Sequence, residues 1–599
     1  MALTKMFLDR SARAGIFLFI KLLILLCLVK LLFALFNFPL FSLSFQWFKT
    51  FAWGMFYDAL ILVLFLLPLR LFPIIAQNRW IRITWSSAIA FMFFLNLLDV
   101  FYFRFHHQRA SADLLYVLSG AGGSVTKHLL VAMAVIIVMF FIVWLIQHWL
   151  KIFSKYNRRS FWILAVIPLM LLLPAGMMLP TYPLTQLRSN ELVVAQNSFH
   201  TFTYSIFRKK ESSLLPFTYM DAEEARRQVK NVTRIVPKSN KRNVMLFIME
   251  SVPMDLFDEG PYKTRLPFFD SLRSVSTWFR NAYSYSHNSN KGITAILASL
   301  PTLTDIPLYH SGYTTLKKSS LGDILKSRGY ETSFFIGDEY DDFGFAKFCN
   351  WTGLEYYSRE DMKVPAETDR HTLGLHDEQV AEFVSMKLRQ GGKPFVSVFY
   401  NLSTHFPNDL PKNFRSDPAL TTPMNAMRYY DQVIGNFFRS IREEAWFENT
   451  VFIFCSDHWM FPDHRDETMD PVNTFRIPVM IFDPMNESAK IETAPVSQFD
   501  IFPTILSYAG IDTIITAYGK QLASLDTNRI VFTRENNVLY QAFDKDFVLG
   551  FNAVNGRTEF LFKLTSREDL AGKGLAKEEQ LRKAIQALLQ VSADHYRGR

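Results

Sequence analysis

Long apolar runs constrain this chain most. Within the first 180 residues, five stretches have the length and composition to cross a bilayer: Gly15–Phe36, Phe51–Ile75, Trp80–Phe103, Leu129–Leu150 and Phe161–Leu179. A spanning helix needs about 20 apolar residues, and in lipid only helices and closed barrels satisfy their own backbone. The sequence therefore predicts a membrane domain of five transmembrane helices over 1–180. The first run is long and lacks a small-residue cleavage site before the next span, unlike a secretory signal. Lys5, Arg10 and Arg13, then Arg70, Arg79 and Arg82, then Lys151, Lys155, Arg158 and Arg159 mark the cytoplasmic side. Everything after about residue 180 then lies outside the cytoplasm. The loop between the third and fourth runs is mixed in charge, and its His106-His107 reads as an interfacial pair.

The net charge of +9 is modest for 599 residues and is concentrated near these runs. No basic-aromatic module accompanies it, which argues against nucleic acid as a partner. Three cysteines, Cys27, Cys349 and Cys455, are too few for a disulfide framework. Residues 181–240 read as a linker, with an interfacial helix in Leu214–Lys230. Residues 241–599 alternate helix and strand patterns, which predicts an α/β domain with a largely parallel sheet. Its core spans 241–520 and a C-terminal subdomain spans 521–599.

Two buried-strand patterns end in metal-ligand residues. Asn243–Met249 is continuously apolar and runs into Glu250; Val451–Cys455 runs through Ser456 into Asp457-His458. Strands apolar on both faces belong inside a parallel sheet, and such sheets place chemistry beyond their carboxyl ends. One metal site assembled across the sheet follows. Between these elements lies His287-Asn-Ser289-Asn-Lys291-Gly292-Ile-Thr294, a polar run leading into a helix. A hydroxyl at a helix N-terminus suits a nucleophile attacking phosphorus, with backbone N–H groups and Lys291 holding phosphoryl oxygens. Asn and Ser are also ordinary N-caps there. His405 follows a third buried strand, Phe395–Tyr400, as a candidate proton carrier. His371, His376 and His464 read as structural or rim-lining, with His464 also a candidate to complete the metal or substrate site.

In their order, Glu250, the Ser289 segment, Thr404-His405-Phe406-Pro407 and Ser456-Asp457-His458 resemble the alkaline phosphatase–sulfatase superfamily. Five spans preceding such a domain resemble lipoteichoic acid synthases and related phosphoglycerol transferases. Arg476-Ile-Pro478 and Ser497-Gln-Phe-Asp500 look like scaffold segments of that family. The resemblance implies an alkaline phosphatase/sulfatase-like fold and Glu250, Ser289, Asp457 and His458 around one divalent ion, Mn²⁺ or Zn²⁺. Ser289 stands where these synthases carry Thr as nucleophile; Thr294 is its nearest rival. His405 matches a substrate-binding His. Gly337–Phe345 lacks the family's phosphate-contacting Arg, leaving Lys347 nearby. The implied activity is transfer of a phosphoglycerol headgroup from a phospholipid donor, phosphatidylglycerol or phosphatidylethanolamine, to an envelope glycan, lipid or polymer acceptor at the bacterial cytoplasmic membrane. Alternatives are a phosphoethanolamine transferase, a phosphodiesterase or sulfatase-type hydrolase, and a non-enzymatic envelope scaffold. The sulfatase Cys/Ser-x-Pro-x-Arg signature is absent at Ser289-Asn-Lys-Gly-Ile.

Overall fold

The computed structural model describes residues 10–38, 46–71, 79–106, 109–111, 189–207, 217–257, 266–460 and 470–598, apart from isolated positions within them, and a few residues between 114 and 148. Two compact units result, one dominated by the N-terminal third and one running from Lys210 to the C-terminus, with small exchanges between them.

The first unit holds α1 (Arg10–Phe36), α2 (Trp47–Leu71) and α3 (Arg79–His106), followed by α4 (Ser189–Ala195) and α5 (Ser198–Phe207). Three stretches, Gly15–Phe36, Trp47–Leu66 and Ile83–Phe103, are long and apolar enough to cross a membrane. The fourth and fifth expected spans lie almost wholly outside the described residues. Leu22, Leu62 and Ile89, one from each long helix, belong to one apolar core.

A charged network is embedded in this unit. Lys30 Nζ donates to the carbonyls of Val194 (3.2 Å), Ala195 (3.0 Å) and Gln196 (2.9 Å) and lies 3.4 Å from Asp58 Oδ2. Arg109 Nε donates to Val193 O (2.8 Å), and its Nη1 reaches Asp99 Oδ2 (3.0 Å). The two cations thus meet the carbonyls that a helix C-terminus leaves open. On the other side of the break, Asn197 Nδ2 donates to Asp58 Oδ1 (2.8 Å) and Ser198 Oγ to Asp99 Oδ2 (2.7 Å). The 189–207 part of the expected linker is therefore built into this unit.

In the second unit, eight strands form the central sheet: β1 (Asn243–Met249), β2 (Thr277–Phe279), β3 (Glu331–Phe335), β4 (Tyr356–Tyr357), β5 (Phe395–Tyr400), β6 (Thr450–Ser456), β7 (Val479–Phe482) and β8 (Lys490–Glu492). Their order is β8-β2-β7-β6-β1-β5-β3-β4. All neighbours pair in parallel except β7, which runs against both β6 and β2, so the sheet is mixed. Every residue of β1, β5 and β6 is buried, as the unbroken apolar patterns require. Apolar clusters cover both faces; Leu246 and Val398 point to one, Phe247 and Phe399 to the other. Phe247 and Phe454 stack at 4.5 Å across β1 and β6.

The expected helix in Leu214–Lys230 is confined to Ala222–Gln228, capped by Asp221. Ala225 and Val229 pack on Ala587, Leu588 and Val591 of the C-terminal helix Ala576–Tyr596. Its apolar face is thus taken up by the α/β unit rather than left for an interface with lipid. The C-terminal part adds an antiparallel sheet of Val531–Arg534, Leu539–Phe543, Phe547–Asn552 and Arg557–Lys563.

Candidate metal and nucleophile site

Strand register assembles the site. Ser456 pairs with Met249 and Cys455 with Ile248; Ile248 pairs with Tyr400 on the other side. The residues that follow, Asp457, Glu250 and Asn401, therefore emerge side by side at the carboxyl edge. Glu250, Asp457 and His458 each offer a ligand atom, with these atoms within 4.8 Å of one another, and all three are buried.

Several backbone and side-chain donors fix this group. Glu250 N donates to Asn401 Oδ1 (2.8 Å), and Thr404 Oγ1 donates to Glu250 O (2.6 Å). Asp457 Oδ1 accepts from Ser251 N (2.8 Å) and His458 N (2.7 Å), which leaves Oδ2 facing the group. Ser251 adopts φ 59°, a left-handed turn that brings its Oγ back to donate to Glu250 Oε1 (2.6 Å). Gln498 Nε2 donates to the carbonyls of Ser456 and Asp457, both at 2.7 Å.

Ser289 opens α6 (Ser289–Ala298), whose N-cap is Asn288. Its Oγ donates to Glu250 Oε2 (3.3 Å) and lies 3.2 Å from His458 Nε2. The start of α6 is pressed against the ligand strand: a Cβ on Gly292 would fall 2.3 Å from Asp457 O. Thr294, the rival hydroxyl, is turned into the helix, where its Oγ1 donates to Asn290 O (2.7 Å). Lys291 is buried in the first turn of α6.

Electrostatics separate the two carboxylates. Burial pushes Asp457 well above its usual range, and the charge of Glu250 beside it pushes the same way. Burial opposes ionisation of Glu250 as well, but the hydrogen bond from His458 and the charges of His405 and His458 offset it and bring the group down to about 2. Burial works against protonation of His458, yet Asp457 and Glu250 raise it to about 9. Among the described residues, no Lys or Arg pairs with either carboxylate. Two buried carboxylates, an imidazole and a hydroxyl on one centre form a donor set that fits a divalent cation of borderline hardness.

His405 is half-buried beyond β5, its Nδ1 2.7 Å from Phe406 O and its ring edge-on to Phe343 at 5.4 Å. His371 and His376 are fully buried. Burial, with the charge of nearby His405, pulls His371 down to about 3, and burial also lowers His376. Lys347 is exposed and its Nζ lies 3.3 Å from His310 Nδ1. His464 lies outside the described residues. The stretch Gly337–Phe345 has no Arg of its own, but Glu339 within it pairs with Arg359 and with Arg370 (3.4 Å), so guanidinium charge reaches this strand end from later in the chain.

Sequence reasoning passed over Tyr400, Ser251, Asn401 and Gln498. Each is a polar residue at or just beyond a strand or turn end, directly beside a residue that was singled out.

Known proteins resemble this chain in sequence and in fold. Residues 242–511 match the sulfatase family model. The chain is 23% identical over 304 residues to a lipoteichoic acid synthase-like protein of Bacillus subtilis, covering 45% of this chain and 48% of the relative. It is 24% identical over 360 residues to lipoteichoic acid synthase of Staphylococcus aureus, covering 54% of this chain and 53% of the relative. The match thus spans about half the length of these relatives. Among solved structures, an alkaline phosphatase superfamily protein of Vibrio parahaemolyticus superposes with TM-score 0.57 at 19% identity, covering 64% of this chain and 98% of that one. Lipoteichoic acid synthase LtaP of Listeria monocytogenes superposes with TM-score 0.52 at 16% identity, covering 63% and 98%.

Proposed function

From a sulfatase-type domain with the alkaline phosphatase superfamily fold, carried behind apolar helices, we propose a membrane-anchored, metal-dependent transferase. It moves a phosphoglycerol headgroup from a phospholipid to an envelope glycan, lipid or polymer acceptor. The helices lie in the bacterial cytoplasmic membrane and the α/β unit faces outward. The observation that carries this reading is the placement of Ser289 Oγ at the N-terminus of α6, 3.3 Å from Glu250 Oε2 and 3.2 Å from His458 Nε2.

Glu250, Asp457, His458 and Ser289 would hold one divalent ion, Mn²⁺ or Zn²⁺. When bound, it lowers the pKa of the serine hydroxyl and stabilises charge on the phosphoryl group. Ser289 Oγ releases its proton to solvent as it forms a bond to the headgroup phosphorus, and the bond from phosphorus to the diacylglycerol oxygen breaks. That oxygen leaves with a proton delivered by His405. Lys291, in the first turn of α6, receives the phosphoryl oxygens. An acceptor hydroxyl then attacks the phosphorus and passes its proton to His405, the bond from phosphorus to Ser289 Oγ breaks, and that oxygen regains a proton from solvent. Membrane anchoring raises the concentration of lipid donor seen by the site.

The test incubates purified full-length protein with headgroup-labelled phosphatidylglycerol or phosphatidylethanolamine. The reading predicts label on Ser289 from phosphatidylglycerol, release of diacylglycerol, and no label in Ser289→Ala. Full transfer by Ser289→Ala contradicts it. Label drawn from phosphatidylethanolamine alone changes the donor, and release of free headgroup phosphate despite a supplied acceptor makes the protein a phosphodiesterase.

A further inference from the structure

Tyr400 is the last residue of β5 and is fully buried. Its hydroxyl is hydrogen-bonded to Glu250 Oε2 and lies 2.8 Å from Asp457 Oδ2. The remaining carboxylate oxygens are already engaged: Glu250 Oε1 by Ser251 Oγ, and Asp457 Oδ1 by two backbone N–H groups. Tyr400 therefore touches the one oxygen of each carboxylate that is left to face a cation. Its ring cannot swing away. It stacks on Phe334 at 6.3 Å and meets Phe345 edge-on at 5.3 Å.

The other five residues of β5, Phe-Val-Ser-Val-Phe, are buried too, and a phenylalanine would fill the same space at this strand end. A buried hydroxyl carries a desolvation penalty unless it is hydrogen-bonded. Here both partners are residues of the candidate metal site. Like-charged carboxylates that share a site repel, and a rigid donor between them sets their separation before any cation arrives. Pre-set ligand geometry strengthens metal binding, and hydrogen-bond partners of ligands carry much of that effect.

We propose that Tyr400 is a positioning residue of the metal centre: its phenol bridges Glu250 Oε2 and Asp457 Oδ2, fixes their spacing, and keeps Glu250 Oε2 turned toward Ser289. The inference rests on the reading of Glu250, Asp457 and His458 as ligands of a divalent ion.

The test compares full-length wild-type protein with Tyr400→Phe, which keeps the ring and its packing and removes only the hydroxyl. Two readouts are taken besides activity: the Kd for Mn²⁺, by competition with a chelating dye, and the visible absorption spectrum of the Co²⁺-loaded protein. The account predicts an unchanged circular dichroism spectrum, a Kd raised about 10–100-fold, and shifted Co²⁺ bands. Tyr400→Phe with wild-type affinity and a wild-type Co²⁺ spectrum overturns it. A phenolate charge-transfer band in Fe³⁺-loaded wild type, lost in Tyr400→Phe, also overturns it, because the phenol is then itself a ligand. If wild type binds no divalent ion at all, the reading of the metal site fails instead, and the two failures are distinguishable.

Discussion

Asp58 and Asp99 in the helical unit, and Glu250 and Asp457 in the α/β unit, are at most 1% exposed. Asp58 faces Lys30 and Asp99 faces Arg109, so that the first pair of carboxylates is neutralised within the protein. Among the described residues, His458 is the one basic side chain that pairs with Glu250 and Asp457. Removing an ion from water costs several kcal/mol even after relaxation. The helical unit meets that cost with opposite charges and with the carbonyls of α4. The α/β unit meets it in part, with His458 and hydrogen-bond donors, and its two carboxylates, an imidazole and a hydroxyl have the arrangement of a site completed by a cation. A closed network holds a broken helix in place; an open one holds chemistry.

Breaking the open network has the largest effect. Glu250→Gln and Asp457→Asn are each predicted to lower transfer by about 10³-fold, since a bound cation supplies several kcal/mol of transition-state stabilisation at about 1.36 kcal/mol per tenfold. Steady-state kinetics check this. Asp457→Asn should not lower the melting temperature of the metal-free protein, because burial already disfavours that charge, whereas Glu250→Gln should lower it by removing the partner of His458.

Breaking the closed network has the reverse signature. Asp99→Leu or Arg109→Met alone leaves an unpaired buried charge and should destabilise the helical unit by about 3–5 kcal/mol, read as lost folded yield in detergent. The double substitution should recover most of it. Failure of that recovery would mean that the carbonyl contacts of Arg109, rather than its pairing with Asp99, hold α4.

Gly292→Ala probes the packing of α6 on the ligand strand. The added methyl meets Asp457 O at 2.3 Å, and an offset of about 1 Å at reacting atoms lowers turnover about 100-fold. Activity should fall far more than the melting temperature.

Proton linkage gives a smaller, graded effect. His458 is raised to about 9 and binds a metal only as the neutral ring. Below pH 9 the apparent Mn²⁺ affinity should therefore fall about tenfold per pH unit for this one proton, measurable by titration at several pH values. The sign for stability is opposite. A histidine with a folded pKa above its unfolded value of about 6.5 stabilises the metal-free protein fully below that value. The contribution disappears as pH rises through 9.

The smallest effect is expected at a surface pair. Arg234 and Asp512 pair at 3.0 Å with side chains 64% and 57% exposed, and Asp512→Asn should change stability by under about 1 kcal/mol.

The sequence made the carboxyl edge of the sheet legible because continuous apolar runs end there. Asn243–Met249 before Glu250, Thr450–Ser456 before Asp457, and Phe395–Tyr400 before Asn401 all became buried strands. Tyr400 was not singled out, since a tyrosine closing an apolar strand looks like core until register brings it beside Glu250 and Asp457. The charged network was hidden for a different reason. Lys30, Asp58 and Asp99 each appear as an isolated charge among apolar neighbours in a helix, and their partners on 193–198 are remote in sequence. Within the stretch expected to be a linker, the polar residues of 189–198 cap a helix break inside the first unit, while the short helix at Ala222–Gln228 finds its apolar partner in the last helix of the chain. The strands Phe547–Asn552 and Arg557–Lys563 escaped notice, since charged residues flank both and Gly550 interrupts the first.

The most direct test of the central claim is equilibrium dialysis of detergent-solubilised full-length protein against Mn²⁺, beside Asp457→Asn. The account predicts one ion per wild-type chain and none in Asp457→Asn at the same free concentration. Equal uptake by the two proteins, or no uptake by wild type with either Mn²⁺ or Zn²⁺, contradicts it.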